Sequence, residues 1–156
     1  MITIKKINLD GFDSHLIENS FRKYAIRKGK MIEFAGNSGY QKIENKYFFA
    51  NENDKYFEAT RIKYPFENIL PRLILKLDKS NFQNIKVRFS IISGIYFFFL
   101  YSILLLFVGI IIFKNNFSGN VSIILILLLI QILGTIIEYK LTLKIINKII
   151  KTSIIK

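Results

Sequence analysis

Side chains that could support catalysis are scarce in this sequence. There is no cysteine, which excludes a thiol nucleophile, a thiolate metal site and a disulfide. The single histidine, His15, lies close to Asp13 at a predicted helix start, and a metal site needs further ligands that the sequence around it lacks. We therefore expect His15 to be a solvated residue of the first helical turn, and we expect no metal site.

The remaining candidates for chemistry are one pair of glycines and one pair of carboxylates. Gly36 and Gly39 have the spacing of a hairpin turn, and no phosphate-binding glycine motif occurs in the sequence. Glu52 and Asp54 lie in the turn-like segment NEND, where a general acid and base would have no shielding pocket. The sequence therefore predicts a protein that is not an enzyme and that uses no cofactor.

Aromatic and basic residues interleave between positions 40 and 66, and this pattern favours binding. Rings and cations on one face of a sheet can hold an anionic small ligand or an acidic protein partner. Arg61 and Lys63 lie two apart on one strand, with Tyr56 and Tyr64 in the same run, so we predict these four as ligand-binding residues. A small domain also needs aromatic residues for its core, so an ordinary core with solvated lysines explains the same pattern.

The elements that must position these residues lie within residues 1–88, which we expect to form a cytosolic domain. A helix is expected from Asp13 or Ser14 to Gly29, because apolar residues recur there at helical spacing between capping residues. Short β-prone runs separated by turn sequences follow, at residues 31–35, 40–50, 55–64, 72–78 and 84–89. The pattern predicts an α+β fold, with a small antiparallel β-meander and one N-terminal helix.

Two long apolar segments follow this domain. The chain is 51% hydrophobic, and Lys114 and Glu138 are the only charged residues within residues 89–139. A helix over residues 89–113 would extend roughly 37 Å, enough to cross a hydrocarbon core of about 30 Å. A second span is expected at residues 119–139, after a tight connection. The sequence therefore predicts a membrane protein with a two-helix transmembrane hairpin.

The net charge of +12 is concentrated on the two sides of these segments. Residues 1–88 hold 17 basic and 10 acidic residues, and residues 140–156 hold five lysines and no acidic residue. Because basic flanks stay in the cytoplasm, we expect a multi-pass protein of the cytoplasmic membrane with both termini cytoplasmic. The positive excess is then explained by topology and by contact with an anionic inner leaflet, which disfavours a nucleic-acid partner.

Residues 140–156 have the pattern of a basic amphipathic helix. Four lysines share one side and isoleucines occupy the other, so we predict that the lysines contact lipid headgroups: Lys140, Lys144, Lys148 and Lys151. Two alternatives are a helix that binds a partner and a straight continuation of the second span that packs on the sheet domain. Glu138 is expected at the membrane interface beside the first of these lysines.

Small and polar residues form a stripe within the apolar segments. Gln131, Gly134 and Thr135 share one helix face, and Ser102 and Gly109 lie seven residues apart in the first segment. Polar groups in hydrocarbon need partners, so we predict that these residues pack the two helices together or form a homo-oligomer. A polar path for ions is the alternative.

The segment YPFENILPRLILKL, residues 64–77, with the basic strand that runs into the first apolar segment, resembles small bacterial membrane proteins of unassigned function. Their aromatic-rich β domain precedes two C-terminal helices, and Asn68, Pro71 and Leu73 are the matching positions over residues 45–113. The architecture also resembles, in reversed order, the effectors of cyclic-oligonucleotide anti-phage systems, which carry two transmembrane helices before a β-barrel. Neither resemblance implies an activity or a binding residue.

These observations predict a non-enzymatic integral membrane protein whose cytosolic β-rich domain binds a protein partner or an anionic ligand at the inner leaflet. One alternative is a membrane-perturbing effector of a bacterial defence system, triggered by ligand binding to the β domain and acting through oligomerised hairpins. A second alternative is an immunity protein for a membrane toxin.

Overall fold

The computed structural model describes residues 3–28, 32–34, 45–114 and 120–154. These residues contain six strands, three α-helices and two 3-10 turns, at Ile32–Phe34 and Pro65–Ile69. In chain order the strands and helices are β1 (Thr3–Asn8), α1 (Ser14–Tyr24), β2 (Ala25–Arg27), β3 (Phe48–Glu52), β4 (Tyr56–Arg61), β5 (Leu73–Asp78), β6 (Asn81–Phe89), α2 (Ile91–Lys114) and α3 (Asn120–Ile154). The predicted β-prone runs at 31–35 and 40–50 lie partly outside the described residues; the described part of the first is a 3-10 turn and not a strand, and the end of the second belongs to β3.

The strands form one mixed sheet in the order β1-β6-β5-β4-β3-β2. Strands β3 to β6 pair antiparallel in sequence, as expected for a meander, with Ala59 opposite Leu75 and Leu75 opposite Val87. The predicted purely antiparallel meander is nevertheless wrong, because β2 pairs parallel to β3 and β1 adds an antiparallel edge beside β6. Both edge strands escaped prediction because β1 is polar and mostly exposed and β2 has only three residues.

Helix α1 covers one face of the sheet and ends earlier than expected. Ile17 and Phe21 are fully buried in the core, and the ring of Phe21 lies 5.4 Å from that of Phe48. The helix ends at Tyr24 instead of Gly29, because the next three residues are extended and form β2. Helical periodicity predicted Ala25–Arg27 as part of α1, but these residues instead pair through their backbone with β3.

Helix α3 continues without interruption through the segment that was predicted as a separate tail. Its last turns lie on the same sheet face as α1, and Ile146, Ile149 and Ile150 are buried in the core. A hydrogen bond of 2.8 Å from Ser20 Oγ to Ser153 Oγ joins α1 to α3. The predicted amphipathic tail helix is therefore wrong as an independent element, since the sheet covers its apolar side.

The predicted two-helix transmembrane hairpin and the multi-pass location are also wrong. Within the described residues, one helical segment, Leu125–Ile154, is long and apolar enough to cross a membrane, judged by length and composition. The apolar segment Ile91–Leu106 of α2 is shorter, about 24 Å at about 1.5 Å per residue, against a hydrocarbon core of about 30 Å. Since the count of spans fails, the two cytoplasmic termini derived from it have no support.

Candidate functional site

A cluster of buried charges joins the sheet to α3. The guanidinium of Arg61 donates to both carboxylate oxygens of Glu138, at 3.2 Å from Nε and 2.7 Å from Nη2, and to Glu67 at 2.6 Å. Arg61 is 4% exposed and Glu138 is 1% exposed, so the pair is shielded from water. Strand β4 therefore holds α3 by an ion pair with two hydrogen bonds.

The local sequence explains why both cations of this cluster point toward α3. Arg61 lies opposite Phe48 in the register of β3 and β4, on the face where α1 and α3 pack. Lys63 lies two residues further along and has the same orientation, as the period of an extended chain requires. Glu138 then enters from one turn of α3 and meets both side chains.

Lys63 is held mainly by backbone oxygens. Its Nζ donates to the carbonyls of Leu70 and Pro71 at 2.6 and 3.1 Å and lies 3.7 Å from Glu138. Burial lowers the pKa of Lys63 to about 8, because the attraction of Glu138 only partly offsets the loss of water and the repulsion of Arg61. For Arg61, burial also acts to lower the pKa, but the hydrogen bonds that Arg61 donates to Glu138 and Glu67, together with the attraction of these two carboxylates, outweigh burial, and the pKa is raised.

The four predicted ligand-binding residues are not brought together. Arg61 and Lys63 are buried beside α3, and Tyr64 is exposed just after them. Tyr56 is at the other end of β4, about 17 Å away for five extended residues, where its ring lies 3.6 Å from the Nζ of Lys76. Their predicted role in ligand binding stays a prediction. A ligand that contacted all four residues would have to reach both ends of β4.

An exposed apolar loop, residues 64–70, lies next to the charge cluster. Glu67 accepts a hydrogen bond of 2.9 Å from the backbone of Tyr64 and also binds Arg61, so the charge cluster shapes the loop. Phe66 is 92% exposed and Ile69 is 83% exposed. Two large apolar side chains are therefore held outward on an ordered turn beside the charge cluster.

The small residue Gly134 allows α3 to approach the end of this loop. A Cβ atom at Gly134 would lie 3.4 Å from Pro71 Cδ and 3.6 Å from Leu70 Cδ2. This glycine was predicted to pack two membrane helices or protomers, and the structure places it against the β domain instead. The loop therefore lies beside the C-terminal end of the exposed apolar part of α3.

The other residues predicted to join helices bond within their own helix. Thr135 Oγ1 donates to the carbonyl of Gln131 at 2.8 Å, and Ser102 Oγ donates to the carbonyl of Phe98 at 2.9 Å. Among the described residues, no atom beyond the helix's own adjacent backbone lies within 4 Å of a Cβ placed on Gly109. Their predicted part in oligomerisation stays a prediction.

The four lysines of the last turns remain solvent-exposed on α3. Lys140, Lys144 and Lys151 are exposed, and the Nζ of Lys148 lies 4.8 Å from the ring of Tyr47. Their apolar neighbours on the helix pack on the sheet, so a helix lying flat in the interface would have to leave the core. Contact of these lysines with headgroups is untested.

Sequence reasoning missed the part that Glu138 plays. It was placed at a membrane interface, whereas the structure buries it beside Arg61, which lies 77 positions earlier at the end of β4, and Lys63, which follows that strand. The available signal was that Glu138 is the only acidic residue after Asp78. A lone carboxylate in an apolar helix needs a cation as its partner. The sequence offered Arg61 and Lys63, which the alternation of a strand places on one face.

The cluster can hold β4 and α3 in register. Across the described residues, no group of three or more histidine, cysteine, aspartate or glutamate side chains is arranged to hold a metal ion. Comparison with family models, with curated proteins and with solved structures finds no match to this chain.

Proposed function

We propose that the protein is a non-enzymatic, membrane-anchored binding module whose β domain is held at a lipid surface to bind a partner or an anionic ligand there. The single observation that carries this proposal is the apolar surface of α2 and of the first half of α3. On α3 alone it exposes Leu125, Ile126, Leu127, Leu129, Ile130, Ile132, Leu133, Ile136 and Ile137. Contiguous apolar patches of this extent are rare on proteins surrounded by water.

The composition of this surface favours lipid over a protein partner as its covering. Exposed residues of α2, including Ile95, Phe98, Phe99 and Leu106, continue the same apolar surface beside α3. A protein interface is only about 56–65% apolar and has a polar rim. Hydrocarbon, by contrast, favours side chains without charge.

The β domain is attached to this surface in a way that supports a module at the lipid boundary. Arg61 and Glu138 pair where the exposed apolar run of α3 gives way to its packed half. The apolar loop carrying Phe66 and Ile69 lies at the same level, because Pro71 meets Gly134. The β domain's excess of basic residues, 17 against 10 acidic in residues 1–88, suits an anionic lipid surface.

The experiment is flotation of the full-length protein with membranes after expression in cells. We expect the native chain to float with lipid and to resist alkaline extraction. Replacing Leu129→Asp and Leu133→Asp together should abolish flotation, because each carboxylate costs about 2.5–3.5 kcal/mol at the centre of a bilayer. Flotation separates membrane-bound protein from aggregates, which sediment.

The matched control carries the same two charges on the same helix. Asn147→Asp with Thr152→Asp places them at exposed positions beyond the apolar surface, and this variant should float like the native chain. A native chain that stays in the soluble fraction, or equal flotation of both double variants, would contradict the proposal.

A further inference from the structure

A concave patch of lysines lies on the sheet face opposite α1 and α3. We call it the lysine cleft; its lining includes Lys6, Tyr56, Lys76, Asp78, Asn84 and Lys86. Its volume is about 340 Å³. Sites that hold whole small molecules usually occupy about 300–1,000 Å³, so the lysine cleft has room for one small molecule.

The strand register places three lysines side by side across β1, β6 and β5. Lys6 lies opposite Lys86, and Lys86 lies opposite Lys76. These side chains point away from the core, because they alternate along their strands with the buried Leu75 and Val87. Residues directly opposite each other have Cβ atoms about 4.5–5.5 Å apart, and like charges at such positions destabilise a sheet. The fold therefore carries a repulsion that a bound anion would relieve.

One of the three lysines is held in place, and the other two have ammonium groups that no ion pair occupies. The Nζ of Lys76 lies 3.6 Å from the ring centroid of Tyr56, so a cation–π contact fixes its position. Within the described part of the chain, neither Lys6 nor Lys86 makes a hydrogen bond or an ion pair through its side chain. Their charges are therefore available to a ligand.

The charge of the lining stays positive after its carboxylate is counted. Asp78 is the one carboxylate among the described residues that line the lysine cleft. Hydrogen bonds from the backbone N–H and the hydroxyl of Ser80 lower the pKa of Asp78, and the attraction of the neighbouring lysines adds to this effect. Glu58 lies opposite Lys76 in the register, but its carboxylate accepts a hydrogen bond of 3.2 Å from Arg88.

This balance favours an anion with two charges. Three lysines against one aspartate leave an excess of two positive charges in the lining. A phosphate monoester carries about −1.5 to −2 charges at pH 7. Because the volume exceeds that of a bare phosphate ion, an organic group can enter with the phosphate.

The position of the lysine cleft favours a water-soluble ligand over a lipid headgroup. Strand β6 lines it from Asn81 to Lys86 and continues to Phe89 before α2 begins. At about 3.4 Å per residue, these lining positions lie about 10–27 Å from that end of the strand. The headgroup region adds only about 5–8 Å to each side of the hydrocarbon core. In the proposed orientation, lipid phosphates therefore do not reach the cleft.

We propose that the lysine cleft binds a small soluble phosphate monoester of about the size of a sugar phosphate, with Lys6, Lys76 and Lys86 around the phosphate. The amide of Asn84 is exposed and can donate to the organic part of the ligand. This inference deepens the proposed function and rests on it, because it names the anionic ligand and the face of the β domain that holds it.

The test is isothermal titration calorimetry of the purified full-length protein in neutral detergent, with ribose 5-phosphate as the probe. We expect one site per chain, weaker binding of inorganic phosphate and no binding of ribose. Lys6→Gln should weaken the binding of ribose 5-phosphate about tenfold, because it removes one charged hydrogen-bond donor. Equal affinities for inorganic phosphate and ribose 5-phosphate would overturn the assignment to an ester.

The matched control is the neighbouring residue of the same strand. Lys5→Gln removes the same charge from a side chain whose Nζ lies 5.3 Å from the ring of Tyr139, on the α3 side of the sheet. This variant should bind ribose 5-phosphate as the native chain does. Equal losses for Lys5→Gln and Lys6→Gln would show attraction by overall charge and would overturn the site.

A further variant separates loss of the ligand from loss of the fold. Lys86→Gln removes both like-charge contacts, so the ligand-free variant should unfold at a higher temperature than the native chain and still bind more weakly. Native affinity in Lys86→Gln would contradict the proposal. Binding of a polyglutamate peptide without binding of ribose 5-phosphate would assign the lysines to a protein partner and overturn it as well. Flotation reports the anchoring separately, so a chain that floats but does not bind ribose 5-phosphate contradicts this inference alone.

Discussion

At the scale of single residues, the charges of this protein serve two different purposes. Arg61 and Glu138 are buried and meet across elements that are far apart in sequence. Glu52 instead gathers Arg22, Arg27 and Lys79 near the surface, each at 2.8 Å. Buried pairs are sensitive to the loss of one partner, whereas exposed pairs contribute little to stability.

Replacing Glu138→Gln should destabilise the protein by about 3 kcal/mol, because Arg61 and Lys63 then lie buried with one less counter-charge. Chemical denaturation of the full-length protein in detergent measures the change. Arg61→Met combined with Glu138→Met should recover most of the loss, since no charge of that pair remains buried. Glu18→Gln, which breaks a partly exposed pair with Arg22, should cost less than about 1 kcal/mol. A cost for Glu138→Gln as small as that of the control would refute the role of the cluster.

The pH dependence of stability should show the contribution of Glu52. Hydrogen bonds from Arg22 and Lys79 lower the pKa of Glu52 from 4.5 to about 2. A carboxylate whose folded pKa is depressed stabilises the fold above its unfolded pKa and loses that contribution as the pH falls. The stability difference between the native chain and Glu52→Gln should therefore be constant above about pH 5 and shrink between pH 4.5 and 2. A difference independent of pH over that range would exclude the ion pairs as its source.

At the scale of elements, α3 is the part of the molecule with two environments. Its second half completes the core with Ile146, Ile149 and Ile150, while most of the isoleucines and leucines between positions 125 and 137 are exposed. One unbroken helix joins the two halves, and Gly134 lies close to the junction. A force on the apolar half is therefore transmitted directly to the packing of the sheet domain.

This division predicts that an isoleucine-to-alanine substitution has a large effect on stability in the second half of α3 and a small effect in the first half. Ile149→Ala, at a fully buried position, should destabilise the β domain by about 2–5 kcal/mol through lost burial and a cavity. Ile136→Ala, at an exposed position of the same helix, should change the stability by less than about 0.5 kcal/mol. Denaturation of each full-length variant in the same detergent measures both effects. Similar costs at the two positions would mean that α3 does not dock on the sheet as described.

At the scale of the whole molecule, polarity is arranged along one direction. The basic sheet domain forms one end, and the apolar surfaces of α2 and α3 form the other. Between them lie the buried pair of Arg61 with Glu138 and the apolar loop with Phe66. These two features supply what the proposed anchoring needs at a lipid boundary: a fixed connection between the β domain and α3, and an apolar contact.

Tryptophan fluorescence can test this orientation, because the chain contains no tryptophan. A tryptophan introduced by Phe66→Trp should shift its emission to shorter wavelength on reconstitution into vesicles and should be quenched by brominated acyl chains. Lys55→Trp places the probe at the exposed turn before β4, at the other end of that strand, and should show neither effect. Equal quenching of the two probes would reject the proposed orientation of the β domain.

The sequence alone determined the features that depend on neighbouring residues. The period of two in residues 73–77 and 84–89 predicted β5 and β6, and the alternation also placed Arg61 and Lys63 on one face. The apolar composition after Phe89 predicted long helices, since charge and hydropathy are local properties. Turn sequences predicted most breaks between strands, although the end of α1 and the edge strand β1 were missed.

Only the tertiary structure decided which surfaces meet. Strand β1 is polar and is ordered by backbone pairing with β6, which leaves no pattern in its side chains. Ile146, Ile149 and Ile150 of α3 would suit lipid or a protein core equally well. In the structure they pack in the core on the sheet face beside α1. Glu138 pairs with Arg61 because that face also carries buried cations. The pattern of apolar residues indicates which face of an element avoids water, but it does not indicate what covers that face. The partner of each apolar face therefore depended on which surfaces the rest of the fold left uncovered.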